Sequence, residues 1–171
     1  MDQKTIAHLF RMDMSYRRHA QGHFFEAMKQ GYAAAPLKGA MEGMPHSKTI
    51  EYTFEDWRVL DVYQTSPISD RSGGTTTLFF ENVPIWMMQY LGKYDKKTIP
   101  CLKAALLQNY EKEVYEGGRG PEVYHHEDGL VYYNQVDQND FFGRTWGTES
   151  IFSPTGILGS HRYQASWLAD A

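Results

Sequence analysis

The stretch TTTLFFENVPIWMMQYLG, Thr75–Gly92, decides how this chain folds. It contains two apolar runs separated by Glu81-Asn82, and it has no lysine or arginine. The mean hydropathy of the whole chain is -0.56, and a segment as apolar as this one must therefore pack against other apolar surface. Asparagine tolerates a left-handed backbone, which favours a two-residue hairpin turn at Glu81-Asn82. The stretch therefore predicts a β-hairpin.

The composition narrows the class of protein. A chain of 171 residues fits one medium domain or two small ones that share a core, and its 42% hydrophobic content is typical of a globular protein. The net charge of -4 lacks the basic excess that nucleic-acid binding selects, so we do not expect a nucleic-acid partner. The single cysteine, Cys101, cannot form an internal disulfide. With no signal or membrane-spanning pattern, we expect a cytoplasmic protein without a membrane partner.

Hydrophobic periodicity predicts the order of elements along the chain. Residues 1–35 are predicted to be helical, with Gly22 separating an N-terminal helix (1–22) from a second helix. Pro100 suits the first turn of a third helix. Six further strands are predicted around the opening hairpin: Ile50–Phe54, Trp57–Thr65, Val123–His126, Leu130–Val136, Trp146–Phe152 and Ile157–Ala165.

The order of helix, hairpin, hairpin occurs twice. FFEAMKQGY (24–32) aligns with LKAALLQNY (102–110), EYTFEDWRVL (51–60) with VYHHEDGLVY (123–132), and TTTLFFENVPIW (75–86) with GTESIFSPTGIL (147–158). We therefore expect one α+β domain over residues 1–171. It would contain two tandem helix-plus-four-stranded-antiparallel-sheet repeats, 23–92 and 93–171, related by a pseudo-two-fold. The alternative is two unrelated α+β stretches.

Several short motifs carry a further resemblance. They are Gly31-Tyr32-Ala33-Ala34, Tyr52, Asp61 with Tyr63, Pro84-Ile85-Trp86 with Tyr90 and Gly92, and Arg119-Gly120-Pro121. Over residues 22–165 the chain resembles a bacterial domain-of-unknown-function family that often lies C-terminal to Xre-type helix-turn-helix regulators. About 22 residues precede the domain, too few for a helix-turn-helix unit. The resemblance implies a fold and no activity, and DNA binding is not carried over.

Motifs typical of metal sites and nucleophiles are weak. The cluster His125-His126-Glu127-Asp128 falls where a hairpin turn is expected. Neighbouring residues of a strand point to opposite faces, so His125 and His126 would not face the same ion. No metal or other cofactor is therefore predicted. The glycine-rich EGGRGPE (116–122) follows a helix, whereas phosphate-binding loops precede one, so Gly117 and Gly118 are interpreted as a helix cap and linker. Cys101 could be activated by a helix N-terminus or simply buried.

The aromatic strand residues are the best functional indication. In strands of period two, half of them point away from the helices, and such a sheet face can bind a small planar ligand or a protein. They could equally form the core. The predicted ligand-binding residues are Trp57, Trp86, Tyr90, Arg119, Tyr133, Trp146, Glu149 and His161.

Three functions remain open, and no catalytic residue is assigned. The first is a non-enzymatic module that binds a small molecule or a protein partner through the aromatic face. The second is a hydrolase using Glu149, His161 or Asp61 with Arg119, which convergence of these residues in a pocket with perturbed pKa values would favour. The third is a homodimeric structural or interaction protein.

Overall fold

The protein has three α-helices and eight β-strands in the ranges 1–33 and 39–169, which a computed structural model describes. The helices are α1 (Gln3–Met12), α2 (Met14–Ala33) and α3 (Ile99–Lys112). The first four strands are β1 (Ser47–Phe54), β2 (Trp57–Thr65), β3 (Arg71–Phe80) and β4 (Val83–Tyr94). The last four are β5 (Val123–His125), β6 (Val131–Gln138), β7 (Arg144–Ser153) and β8 (Gly156–Trp167).

All eight strands form one antiparallel sheet in the order β1-β2-β3-β4-β8-β7-β6-β5. Each set of four consecutive strands is a meander, and the two meanders join where β4 pairs with β8, with Tyr90 opposite Tyr163. The predicted α+β class, with an N-terminal helical region and an antiparallel sheet, is confirmed. The predicted end of the first helical region, 34–35, lies outside the described residues.

The hairpin at the centre of the fold forms as its turn residues predict. Phe80 pairs with Val83, and the two residues between them, Glu81 and Asn82, have φ values of 46° and 64°. Positive φ at both central residues matches the right-handed twist of the flanking strands. Pro100 also lies in the first turn of α3, as predicted.

The break between the first two helices was wrongly predicted at Gly22. It occurs at Asp13, whose extended backbone ends α1 and whose carboxylate accepts the Ser15 N–H at 2.8 Å as α2 begins. Gly22 lies inside α2, where an added Cβ would meet no atom within 4 Å. A glycine only weakens a helix, and here packing of the helix against the sheet outweighs that effect.

One face of the sheet is covered by the helices and carries the core. Trp86 on β4 is fully buried, stacks on Phe141 at 5.2 Å and meets Phe24 of α2 edge-on at 5.1 Å. Phe10 of α1 packs edge-on against Trp57 in the same core. Helices α1 and α2 thus supply the apolar cover that the hairpin requires.

Candidate functional site

A row of side chains crosses the helix-covered face of the sheet from β3 to β7. In register, Ser72 lies opposite Gly92, Gly92 opposite His161, and His161 opposite Glu149. Residues directly opposite on neighbouring strands share a face, so the register places these side chains in one line. A Cβ on Gly92 would lie 2.4 Å from His161 Cδ2, so the glycine leaves the space that the imidazole occupies. His161 Nε2 is 3.3 Å from Ser72 Oγ.

Glu149 is held by a buried ion pair. Arg119 Nε donates to Glu149 Oε2 at 2.9 Å, its Nη2 donates to Oε1, and the Tyr132 hydroxyl donates to Oε2 at 2.8 Å. Burial alone would raise the pKa of Glu149, but the Arg119 charge and these hydrogen bonds outweigh it and hold that pKa below its usual value. The carboxylate is therefore ionised.

The loop after α3 carries Arg119 into this position. Helix α3 ends at Glu113, which has a left-handed backbone, so Gly117 and Gly118 are not the helix cap that we predicted. The Tyr110 hydroxyl donates to the Gly118 carbonyl at 3.1 Å, and the Asn109 amide donates to the Arg119 carbonyl at 3.2 Å. These bonds hold the loop so that the guanidinium lies 5.4 Å from the centre of the Tyr90 ring.

A second buried carboxyl group lies on the first meander. Asp61 accepts hydrogen bonds from Thr76 Oγ1 at 2.6 Å and from the Tyr90 hydroxyl at 2.9 Å. Burial raises the pKa of Asp61, against the opposing effect of these two bonds and of Arg119. Tyr90 also stacks with the His161 ring at 6.0 Å, so it links Asp61 to the imidazole that lies beside Glu149.

His161 is a neutral imidazole at neutral pH. Its pKa is lowered to about 4, mainly by burial, with Glu149 opposing the shift and Arg119 adding to it. Its Nδ1 is buried without a hydrogen-bond partner among the described residues, and it lies 3.9 Å from Glu149 Oε1. The ring is therefore positioned between Ser72 and Glu149.

Replacing His161 with Gln is expected to reduce the acid sensitivity of folding. Because the folded pKa, about 4, lies below the unfolded value of 6.5, the unfolded chain binds more protons between these limits. Wild-type stability should therefore fall as the pH is lowered from 6.5 to 4, by about 3 kcal/mol from this group. In urea unfolding at several pH values, His161→Gln should lack this component. The matched variant His125→Gln, at an exposed residue, should keep it, and equal slopes for all three proteins would contradict the assignment.

A cavity of about 580 Å³ opens beside this row, between the sheet and the start of α3. Its inner wall includes Tyr63, Ser72, Tyr90, Tyr94, Arg119 and His161. Four further basic side chains line it: Lys48, Arg71, Lys96 and Lys103. Asp70 is the one acidic residue among the described residues that line it. The cavity thus combines an aromatic interior with a basic border.

The eight residues predicted from sequence lie in three places. Tyr90, Arg119 and His161 line the cavity, and Glu149 lies directly behind them. Trp57 and Trp86 are in the core under the helices. Tyr133 and Trp146 are each 44% exposed on the opposite, uncovered face, where Trp146 borders an open depression of about 970 Å³. The predicted residues therefore do not form one aromatic surface.

Sequence reasoning missed Ser72 and the lysines of the cavity. Nothing in the local sequence marks Ser72, because its relation to His161 depends on the register of three strands. The available signal was glycine inside the predicted strand: Gly92 indicates a point where another group approaches the backbone closely.

The other motifs show no built site. His126 Nδ1 is 2.6 Å from Asp128 Oδ1 in a turn, and no group of three or more His, Cys, Asp or Glu side chains in the described ranges could hold a metal ion. Cys101 is buried, which raises the pKa of its thiol to about 11. None of the helices among the residues described is long and apolar enough to cross a membrane.

Comparisons with models of protein families, with curated proteins and with solved structures found no match to this chain. The resemblance to the domain family stays a prediction. The cavity is therefore the main indication of function.

Proposed function

We propose that this protein binds a small organic anion with a planar apolar body in the cavity beside His161. The observation that carries the proposal is the composition of that cavity: five basic side chains and three tyrosines line it, with a single acidic residue among its described lining. The site lies on the covered face of the sheet, and it replaces the exposed aromatic face that the sequence suggested.

The charge distribution favours an anion. The whole chain carries a net charge of -4, so the positive lining of the cavity is a local departure from the general surface. Clefts lined by one sign of charge concentrate ligands of the opposite sign. Lys96 and Lys103 are exposed at the start of α3, where they are accessible to a carboxylate, sulfonate or phosphate group.

The interior favours a planar body. The rings of Tyr94 and His161 lie 4.4 Å apart, and those of Tyr90 and His161 lie 6.0 Å apart and nearly parallel. Aromatic walls accept flat ligands by offset stacking. A volume of about 580 Å³ lies within the usual range for small-molecule sites.

The buried ion pair decides which way the ligand points. Arg119 already makes a bidentate contact with the ionised Glu149. A second buried anion beside them would meet the Glu149 charge in a low dielectric, which is costly. The anionic group is therefore expected to face Lys48 and Lys103, with the planar body directed towards Tyr90 and His161.

A matched pair of dyes tests the proposal. The sulfonate 1-anilinonaphthalene-8-sulfonate should bind with increased fluorescence, and its uncharged analogue N-phenyl-1-naphthylamine should bind more weakly. The double variant Lys48→Met/Lys103→Met, which changes one half-buried and one exposed lysine, should weaken sulfonate binding about tenfold, a loss of ~1.4 kcal/mol. It should leave binding of the uncharged dye unchanged.

The control is the double variant Lys4→Met/Lys112→Met, which removes the same charge from exposed residues outside the cavity. It should keep the wild-type affinity for the sulfonate. Equal losses in both double variants would mean that net charge alone attracts the dye, and the cavity proposal would be rejected.

We also infer that the two meanders descend from a duplicated helix-plus-four-strand unit. Gly74 lies opposite Tyr90 and Gly147 opposite Tyr163, and a Cβ on either glycine would approach the tyrosine hydroxyl, at 2.6 Å and 2.4 Å. The strand registers also shift at Leu78/Phe79 and, correspondingly, at Ile151/Phe152. These matching details support the inference.

The matching glycines imply a different alignment from the sequence repeat. The sequence repeat aligned Thr75 with Gly147, whereas the strand registers align Gly74 with Gly147. The reason is the first turn, which has two residues, Glu55-Asp56, in one meander and a longer loop after His125 in the other. A set of related sequences tests the inference: their halves should align in this register, and halves with no better similarity than shuffled sequences would contradict it.

A further inference from the structure

We propose that the cavity hydrolyses an ester of the bound anion, with Ser72 as nucleophile, His161 as general base and Glu149 as the residue that positions His161. This inference rests on the proposed binding function. It goes beyond that function because it assigns a reaction to the row of side chains.

The geometry follows the order of an acyl-transfer triad. Ser72 Oγ is 3.3 Å from His161 Nε2, and the opposite ring nitrogen, Nδ1, is 3.9 Å from Glu149 Oε1. Ser72 and His161 both line the cavity, whereas Glu149 is buried behind the imidazole. A serine hydroxyl within reach of a base is activated as a nucleophile. At 3.9 Å the Glu149 carboxylate acts on the imidazole through its charge rather than through a hydrogen bond.

The strands make the row rigid. The three residues are on β3, β8 and β7, and the strand between Ser72 and His161 contributes Gly92, which has no side chain to separate them. Sites built on strands hold their geometry better than sites on loops. Hydrogen bonds from Tyr132 and Arg119 hold the Glu149 carboxylate in place.

The reaction balances with water as the only co-reactant. Ser72 Oγ attacks the ester carbonyl carbon while its proton passes to His161 Nε2. The bond from that carbon to the alcohol oxygen then breaks, and the leaving oxygen takes the proton from Nε2. Water attacks the acyl-serine, gives a proton to Nε2, and the carbon–Oγ bond breaks as Oγ recovers a proton. The products are a carboxylic acid and an alcohol.

The charges around His161 set the expected pH dependence. Glu149 faces the imidazole from β7, and Arg119 faces it from the loop after α3. The phenol rings of Tyr90 and Tyr94 face it from β4. Burial keeps the pKa of His161 near 4, so the base is unprotonated throughout the neutral range. The rate should stay level from pH 7 to about 5 and fall near 4. Hydrolysis by exposed imidazoles would instead fall near pH 6.5.

The substrate 4-acetoxybenzoate tests the reaction, with its methyl ester as the uncharged match. We expect wild-type protein to release 4-hydroxybenzoate and to prefer the charged substrate. Ser72→Ala and His161→Gln should each lower kcat/KM by about 100-fold or more. Mass spectrometry of the quenched reaction should find the acetyl group on Ser72. An acetyl group found on lysines alone, or an undiminished rate in Ser72→Ala, would overturn the proposal.

The controls separate this proposal from the binding proposal. Ser160→Ala changes a serine that is next to His161 in sequence but lies on the opposite face of the sheet. His125→Gln removes an exposed imidazole. Both variants should keep the wild-type rate. If wild-type protein binds the dye but shows no serine-dependent hydrolysis, the catalytic proposal alone fails. If wild-type protein does not bind the dye in the cavity, both fail.

Glu149 has its own readout as a positioning residue. Glu149→Gln should lower kcat more than it raises KM, and it should shift the acidic limb of the rate profile, because the charge that opposes the lowering of the His161 pKa is gone. An unchanged acidic limb would remove Glu149 from the proposal. The acetyl-Ser72 adduct and the Ser72→Ala rate do not depend on this variant, so they decide the proposal even if Glu149→Gln does not fold.

Discussion

Replacing Glu149 with Gln is expected to destabilise the fold by about 3–5 kcal/mol, because it leaves a buried cation without its partner. Glu149 is fully buried, and Arg119, which donates two hydrogen bonds to it, is buried as well. Urea unfolding followed by circular dichroism measures the change. The double variant Arg119→Met/Glu149→Gln should recover part of the loss, since both charges are then absent.

The control for the ion pair is Glu113→Gln. Glu113 is 3.2 Å from Lys29 at the surface, where its side chain is 54% exposed. Exposed ion pairs contribute little, so this variant should unfold close to the wild-type midpoint. If Glu149→Gln and Glu113→Gln shift the midpoint equally, the Arg119–Glu149 contact does not hold the loop and the sheet together.

Replacing Trp86 with Ala is expected to destabilise the fold by a similar amount, about 3–5 kcal/mol. Trp86 is fully buried between Phe141 and Phe24, so truncation would leave a cavity at the contact between β4 and α2. Any ligand binding lost in this variant would follow from unfolding, since Trp86 does not line the site.

Trp146→Ala is the matched control for the core. Trp146 is 44% exposed on the uncovered face, so the same truncation creates no buried cavity and should cost less than about 1 kcal/mol. Denaturation of both variants under the same conditions gives the comparison. A larger loss in Trp146→Ala than in Trp86→Ala would mean that the uncovered face is packed and that the core lies elsewhere.

The hairpins and the fold class could be predicted because their signals are local. Two turn residues, Glu81 and Asn82, terminate two strands whose apolar residues demand a cover. The helix boundary at Asp13 was missed because a side-chain contact with the Ser15 N–H, rather than a glycine, starts the next helix. Helix breaks depend on such contacts as much as on propensity.

The candidate site could be predicted only in part. Period two indicates that Trp86 and Tyr90 share one face, and it cannot say which face the helices cover. Arg119, Glu149 and His161 were identified as separate polar residues, and their convergence depends on the pairing of β7 with β8 and on the loop after α3. Ser72 joins them only through the pairing of β4 with both β3 and β8, across Gly92. Long-range register is set by the whole sheet, so one local sequence does not contain it.

A crystal structure with 4-iodobenzoate tests the central claim, binding of an organic anion in the cavity, most directly. The anomalous signal of iodine locates the ligand independently of any fitted coordinates. We predict an iodine peak beside Tyr90 and His161, with the carboxylate directed towards Lys48 and Lys103. Iodine found only on the uncovered face, beside Trp146 and Tyr133, would contradict the claim.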